Sequence, residues 1–304
     1  MTQSSTVLPY GRKAGSTATA ARTEDGTATA ARTEDDVEAL RAEVECLRRQ
    51  NSDLQGRLRT HPAIALAQGI LIERYGLPEP DQAFALMRHV SQRANIKLHQ
   101  LADALNHIPG PDTDARLWFP RRVPATPPPL HDVDMELDGG ANQGAVLGAA
   151  LRRVLTIAGT DMGNVQLADR SGLRMEKHTG LTREFTDFFA FVDGPTTSCS
   201  QAAADQEQVT VRDVATAEMF DEDSRRTILE AGSRACHSVP IIDGQSVRGM
   251  VSSHHARPLA GFSRPQLQAL EATGQAVGRW LTWHHDTVIH DALEELHGLA
   301  RTTR

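Results

Sequence analysis

Arg74, Arg88, Arg93 and Lys97 lie along a stretch that holds no acidic residue between Gln82 and Ala102. Such side chains neutralise phosphates and release counterions, which supplies most of the sequence-independent affinity for nucleic acid. From Arg48 to Ala102 the chain carries eight cations against four anions, although its 304 residues sum to a net charge of −7. A local basic face on an acidic protein points to a particular phosphate-bearing partner and excludes indiscriminate polyanion binding. Solvated helix faces carry similar charge runs, so charge alone leaves both readings open. Thirteen histidines invite metal or acid–base chemistry, chiefly His254, His255, His284, His285, His290 and His297. Helical ligands stand three or four apart, whereas His284, His285 and His290 are separated by one, five and six positions, which argues for solvated rings and no metal. Cys46, Cys199 and Cys236 are odd in number and lack metal-type spacing, as suits a reducing cytoplasm. Cys199 and Cys236 read either as small buried hydrophobes or as a redox-sensing thiol. No nucleophile elbow, phosphate-binding loop, paired-carboxylate motif or His-Glu-x-x-His sequence occurs, so the chain reads as a non-enzyme.

The basic residues need helices to hold them. Ile64, Leu66, Ala67, Ile70 and Leu71 recur at helical spacing after Pro62, and Gly76 with Pro78 and Pro80 ends that helix near Tyr75. A second helix starts at Asp81 with Ala83, Phe84, Leu86, Met87 and Val90 as its stripe, and a third carries Ile96, Leu98, Leu101, Ala102 and Leu105. So small a bundle has little apolar area to set against chain entropy and must lean on another surface. Upstream, Val37, Leu40, Val44, Leu47, Asn51, Leu54 and Leu58 alternate four and three apart, the a/d seam of a coiled coil, and Asn51 in an a position suits a parallel dimer.

Ala67-Gln68-Gly69-Ile70-Leu71, Asp81-Gln82-Ala83-Phe84, Ser91-Gln92, Asn95, Lys97-Leu98 and Leu101-Ala102 together resemble the ANTAR domain. That family consists of coiled-coil-linked three-helix modules that bind paired hairpins in nascent RNA and prevent transcription termination. The resemblance implies a homodimer and one hairpin loop per three-helix unit. It also implies close approach at Ala67, Gly69 and Ser91, cationic contacts from Arg74, Arg88, Arg93 and Lys97, and hydrogen bonds from Gln68 and Asn95. The alternative roles are helix packing for Ala67 and Gly69, and capping of the third helix for Asn95. Gln68 stands where the family commonly has a lysine, which removes one charge.

Residues 1–35 hold the repeat TATAARTED twice, at Thr17–Asp25 and Thr27–Asp35, and their composition predicts a disordered tail. Residues 36–60 form the coiled coil and 61–108 the three-helix module. Residues 109–138 are a proline-rich, then acidic, linker in which Trp118 and Phe119 are expected to dock on a neighbouring domain. No signal peptide and no membrane-length apolar run is present, so the expected location is cytoplasmic.

From 139 to 283 the pattern is α+β. A helix over about 142–158 precedes a hairpin of Asn164–Leu167 with Leu173–His178. An aromatic helix with Phe185, Phe188, Phe189 and Phe191 follows, then a short strand at Val209 and Val211. A second hairpin turns at Asp243-Gly244, and a long helix starts at Ser263 and Pro265. Hairpins bracketed by helices imply an antiparallel sheet with helices on its faces. Thr160–Leu167, Val211–Val214, Gly232–Ala235, Ser238–Pro240 and Gly249–His254 resemble a GAF domain of the type that accompanies ANTAR modules in actinobacterial regulators. This second resemblance implies a sensory domain for an unnamed small-molecule or redox signal, with a pocket lined from the sheet and from near Phe188 and Phe189. The family's frequent Cys-Gly pair is Cys199-Ser200 here. Residues 284–304 read as a helical extension.

Three functional classes follow: a signal-responsive antiterminator that binds hairpin RNA, a DNA-binding regulator of helix-turn-helix type, and a dimeric interaction protein without nucleic acid.

Overall fold

A computed structural model describes residues 39–40, 43–44, 46–47, 61–112, 114–123, 125–133, 142–169, 172–192 and 197–302. Residues up to 59 form one unit and residues 60–304 a second. In the first, Leu40, Val44 and Leu47 are helical and exposed. Val37, Asn51, Leu54 and Leu58 of the expected seam lie outside the described residues, as does the repeat-bearing tail.

The second unit begins with three helices: α1 over residues 61–75, α2 at Pro80–Arg93 and α3 at Leu98–His107. Gly76 takes φ +65 and stops α1, a conformation glycine adopts without penalty. Pro80, not Asp81, is the first residue of α2, where its missing N–H is no loss. Ala67, Leu71, Tyr75, Met87, Val90, Leu101 and Leu105 are buried together. Leu66, expected on that inner stripe, is instead 58% exposed. The buried line of α1 runs through 64, 67, 71 and 75, and a residue one position off that line points about 100° round the helix.

The sheet is antiparallel with order β3-β2-β1-β6-β5-β4. Its strands are β1 Met162–Asp169, β2 Gly172–Thr179, β3 Phe191–Val192, β4 Val209–Val211, β5 Ala235–Asp243 and β6 Ser246–His255. Both hairpins and the α+β layering match expectation. Helices α4 (Gln143–Ala158) and α8 (Arg264–His284) cover one face, meeting Val165, Val239, Ile241 and Val251. On the other face lie the short α5 (Arg183–Phe188), α6 (Ser198–Asp205) and α7 (Glu222–Glu230), which enclose Cys236 and Met250. Both faces of β5 are thereby covered, and its first seven residues are buried. Helix α8 comes so close to that strand that a Cβ at Gly274 or Gly278 would lie 2.2 or 2.0 Å from the carbonyl oxygens of Pro240 and Ile242. Phe191 belongs to β3 and not to the aromatic helix. Its segment pairs with Leu173 and Arg174 at the sheet edge, where an aromatic suits a strand.

The fourth wall of the small bundle comes from the far end of the chain. Helix α8 passes through a π-turn at His285–Ile289 into α9 (His290–Thr302). Ile289, Ala292, Leu293, Leu296 and Ala300 then pack into the core of α1, α2 and α3. Part of the surface the bundle leans on thus comes from the far end of the chain. Trp118 and Phe119 dock as expected. Trp118 is buried in the same core, its indole N–H donates to the carbonyl of Pro109 (3.0 Å), and the Glu294 carboxylate accepts from the backbone N–H groups of Trp118 (2.9 Å) and Phe119 (3.0 Å).

Candidate nucleic-acid interface and sensory cavity

The four cations fall into different environments. Arg88 is exposed and, among the described residues, makes no ion pair. The guanidinium of Arg74 sits 5.4 Å from the Trp118 ring centre, a cation–π contact that holds it against the bundle. Arg93, in the last turn of α2, lies 3.1 Å from Glu295 on α9. Lys97 contacts the carboxylate of Glu176 on β2, and Arg174 reaches the other oxygen of the same group at 2.7 Å. Glu176 is only 3% exposed. Two cations around one buried carboxylate make the contact a junction between the bundle and the sheet, because without them the Glu176 charge would be stranded away from water. Beside it, Gln100 accepts from the Lys97 N–H (3.1 Å) and donates to Gln143 on α4 (2.6 Å). His99, half-buried here and close to Arg174, is held neutral: desolvation first, then Arg174, lowers its pKa to about 4. A groove of about 510 Å³ runs along this junction, lined among others by Asn95, Lys97, Gln143 and Glu176.

The remaining candidates divide between fold and surface. Ala67 is fully buried and serves helix packing. Ser91 is buried, and its hydroxyl donates to the carbonyl of Ile96 (2.7 Å), closing the α2–α3 turn. Gln68 donates to the carbonyl of Pro80 (3.0 Å). Asn95 does not cap α3; Lys97 occupies that position, and Asn95 takes the left-handed turn at φ +52. Gly69 is exposed, and a Cβ there would touch nothing within 4 Å. Packing therefore gives no reason for glycine, which costs about 1 kcal/mol in a helix interior. No local signal could have disclosed Glu176 or Glu295, since each acquires its role from a helix far away in sequence.

In the sheet domain, Asn164, Gln166, Phe185, Phe189, Thr197, Ser198, Cys199, Cys236 and His254 surround a cavity of about 20 Å³, room for about one water. Phe188, expected in its lining, is 46% exposed. Thr197 caps α6 through the backbone N–H of Ser200, so the serine after Cys199 is part of a capped first helical turn where the family's glycine would permit a bend. A hydroxyl chain links Ser198, Ser238 and Ser252 at 3.1 and 3.0 Å. Cys199 lies 3.1 Å from Ser252, and Cys236 lies 3.4 Å from Ser198. Burial raises both thiols, Cys236 to about 12, so both are protonated and poorly nucleophilic. The ring of His254 lies between Ser233 (3.0 Å) and Asn164 (3.2 Å), and burial lowers its pKa to about 3. Gln166 donates to the carbonyl of Phe189 (3.1 Å) while its own buried oxygen has no partner. An acceptor of that kind is costly unless a donor arrives.

The histidines are not the solvated set that spacing suggested. His237, His254, His284 and His297 are buried. His297 accepts from or donates to Tyr75 at Nδ1 (2.7 Å) and faces the Ala115 carbonyl at Nε2 (2.9 Å). A carbonyl only accepts, so Nε2 carries the proton and the Tyr75 hydroxyl donates to Nδ1. His284 stacks on Trp280 at 4.9 Å, and its pKa falls to about 4 through burial and then His285. Among the described residues, no helix is long and apolar enough to cross a membrane.

Comparison with known proteins matches these two halves. Residues 52–105 match the ANTAR domain and residues 144–279 the GAF domain. No curated protein matches the chain. Among solved structures, the GAF domain of a phosphoenolpyruvate-protein phosphotransferase from Coxiella burnetii is 11% identical, covers 51% of this chain and 92% of its own, and has a TM-score of 0.43. The GAF domain from the corresponding Acinetobacter protein is 15% identical over 51% and 92%, with a TM-score of 0.42. A GAF domain/HD domain protein from Geobacter sulfurreducens is 16% identical over 49% and 99%, with a TM-score of 0.41. ANTAR and GAF domains are regulatory and sensory, not catalytic, families, and this chain joins one of each: an ANTAR domain at 52–105 followed by a GAF domain at 144–279.

Proposed function

We propose that the chain is a signal-responsive antiterminator in which the ANTAR module binds RNA hairpin loops and the GAF domain controls access to it. The observation that carries this reading is the state of the cations. Arg88 is free to meet phosphate, whereas Lys97 is engaged by Glu176 of the GAF sheet and Arg93 by Glu295 of α9. The exposed Gly69, which the fold does not require to be small, adds a place where a backbone could approach closely. The signal is a small polar molecule that enters the small cavity and supplies the donor Gln166 lacks; two thiols kept protonated by desolvation favour this over oxidation. Duplex DNA is the less favoured partner, because α3, the counterpart of a recognition helix, is wedged between α9 and the GAF domain through His99 and Gln100.

Titration of the full chain with a labelled paired-hairpin RNA tests this. Arg88→Ala is expected to weaken all hairpins alike and to flatten the salt dependence by about one ion. Glu176→Gln frees Lys97 and is expected to raise affinity about tenfold, or roughly 1.4 kcal/mol. Gly69→Ala should stabilise α1 by about 1 kcal/mol yet weaken RNA binding. Unchanged affinity in all three folded variants ends the proposal.

We further propose that the protein is a homodimer through its N-terminal helix, where Leu40, Val44 and Leu47 present exposed apolar side chains at seam spacing. Leu47→Asp would bury an unpaired charge in that seam and give a monomer in sedimentation, provided the unmutated chain sediments as a dimer.

A further inference from the structure

The helical path from the GAF domain into the bundle changes its winding once, at the π-turn of His285–Ile289. In an α-helix, residues five apart point about 140° away from each other, which is why the histidine spacing argued against a metal. A π-turn closes its hydrogen bonds over five residues and sets such positions one above the other. His285 and His290 accordingly face one another, with ring centres 5.4 Å apart, and Asp286 joins them at 3.0 Å from His285 Nδ1. One ligand-type atom from each of the three lies within 4.8 Å of the other two.

We propose that His285, Asp286 and His290 form a binding site for a divalent transition-metal cation that prefers imidazole, such as zinc, nickel or cobalt. Two neutral imidazoles with one carboxylate are a donor set these ions take, and three protein ligands leave a position for water. Zinc–ligand distances near 2.0–2.1 Å require the donor atoms to close by about 1.5 Å. His285 and Asp286 are exposed enough to rotate that far. The surroundings hold the third ligand and manage the nearest positive charge. Phe119 stacks on the His290 ring at 4.3 Å and 19°. The guanidinium of Arg122, which donates to the carbonyl of Thr287 (3.4 Å), is paired with Asp291, so Asp286 is left as the anionic ligand. Single π-turns that interrupt helices are frequent at functional positions. Here the turn lies where the last GAF helix becomes the fourth helix of the ANTAR bundle, so a bound cation would brace that passage.

Calorimetric titration of the full chain with zinc ions alone, repeated with nickel, tests the site. One cation per chain is expected, with a rise in Tm. His285→Ala/His290→Ala is expected to lose about tenfold or more in affinity together with the Tm rise, while keeping its circular dichroism. His131→Ala/His178→Ala, at exposed rings elsewhere, should bind as the parent does. The proposal is overturned if the parent takes up no cation, or if the 285/290 double variant keeps the parent's affinity and stoichiometry.

Discussion

Between pH 7 and pH 5 the folded chain is expected to lose several kcal/mol of stability, a large part of what holds a typical domain together. Three buried histidines and the half-buried His99 cause the loss. The pKa values of His99, His237 and His284 are lowered to about 4, and that of His254 to about 3, in each case first by desolvation. Below about 6.5 the unfolded chain binds protons that the folded chain refuses, so stability is whole above that pH and falls as pH drops towards 4. Each ring then contributes about 2 kcal/mol of loss at pH 5. Urea unfolding measured from pH 7.5 to pH 5 reads the slope directly. His99→Leu provides the check, because the Nε2 of His99 is buried without a partner and its loss should cost little at neutral pH. The variant should lose about a quarter of the pH dependence. A stability that stays level down to pH 5 would mean that these rings accept protons in place.

What could be read from the sequence was what neighbouring residues decide. Gly76 with its flanking prolines, the Asp243-Gly244 turn, and Ser263 with Pro265 each fix backbone geometry locally, and each ends or starts the element expected of it. The two-domain recognition was legible for a similar reason, since motif residues such as Gly69 and Asn95 keep their spacing whatever they pack against. Residues whose meaning depends on distant partners were not legible. Lys97 looked like a solvent-facing cation, and only the fold sets Glu176 beside it, 79 positions away. His254 and His297 looked like surface rings because hydropathy ranks histidine as polar, yet each is buried with a hydrogen-bonding partner at both ring nitrogens. The cluster at 285, 286 and 290 was dismissed by α-helical arithmetic, which fails where the helix takes one π-turn.

Leu293→Asp is expected to unfold the ANTAR bundle while leaving the GAF sheet intact. Leu293 and Leu296 are fully buried on α9 against Ala67, Leu71, Met87 and Leu101. Truncating one such leucine costs about 2–5 kcal/mol, and a carboxylate in its place adds the penalty of a charge without a partner. The bundle has few residues with which to absorb such a loss, since α1, α2 and α3 are short helices, α2 of 14 residues and α3 of 10. Hydrogen exchange separates the two halves. Amides of α2 and α3 should lose protection in Leu293→Asp, while those of β5 and β6, whose core draws on α4 and α8, should keep it. Leu293→Met, similar in volume, should behave nearly as the parent does. A fragment ending at residue 108 lacks α9 altogether and is expected to show the same loss of protection, so RNA affinity measured on such a fragment would report on an incomplete module. If α2 and α3 stay protected in Leu293→Asp, the three helices are self-sufficient and α9 is only laid against them. Glu295 on α9 would then restrain Arg93 alone, and control of the RNA-facing cations would fall to Glu176.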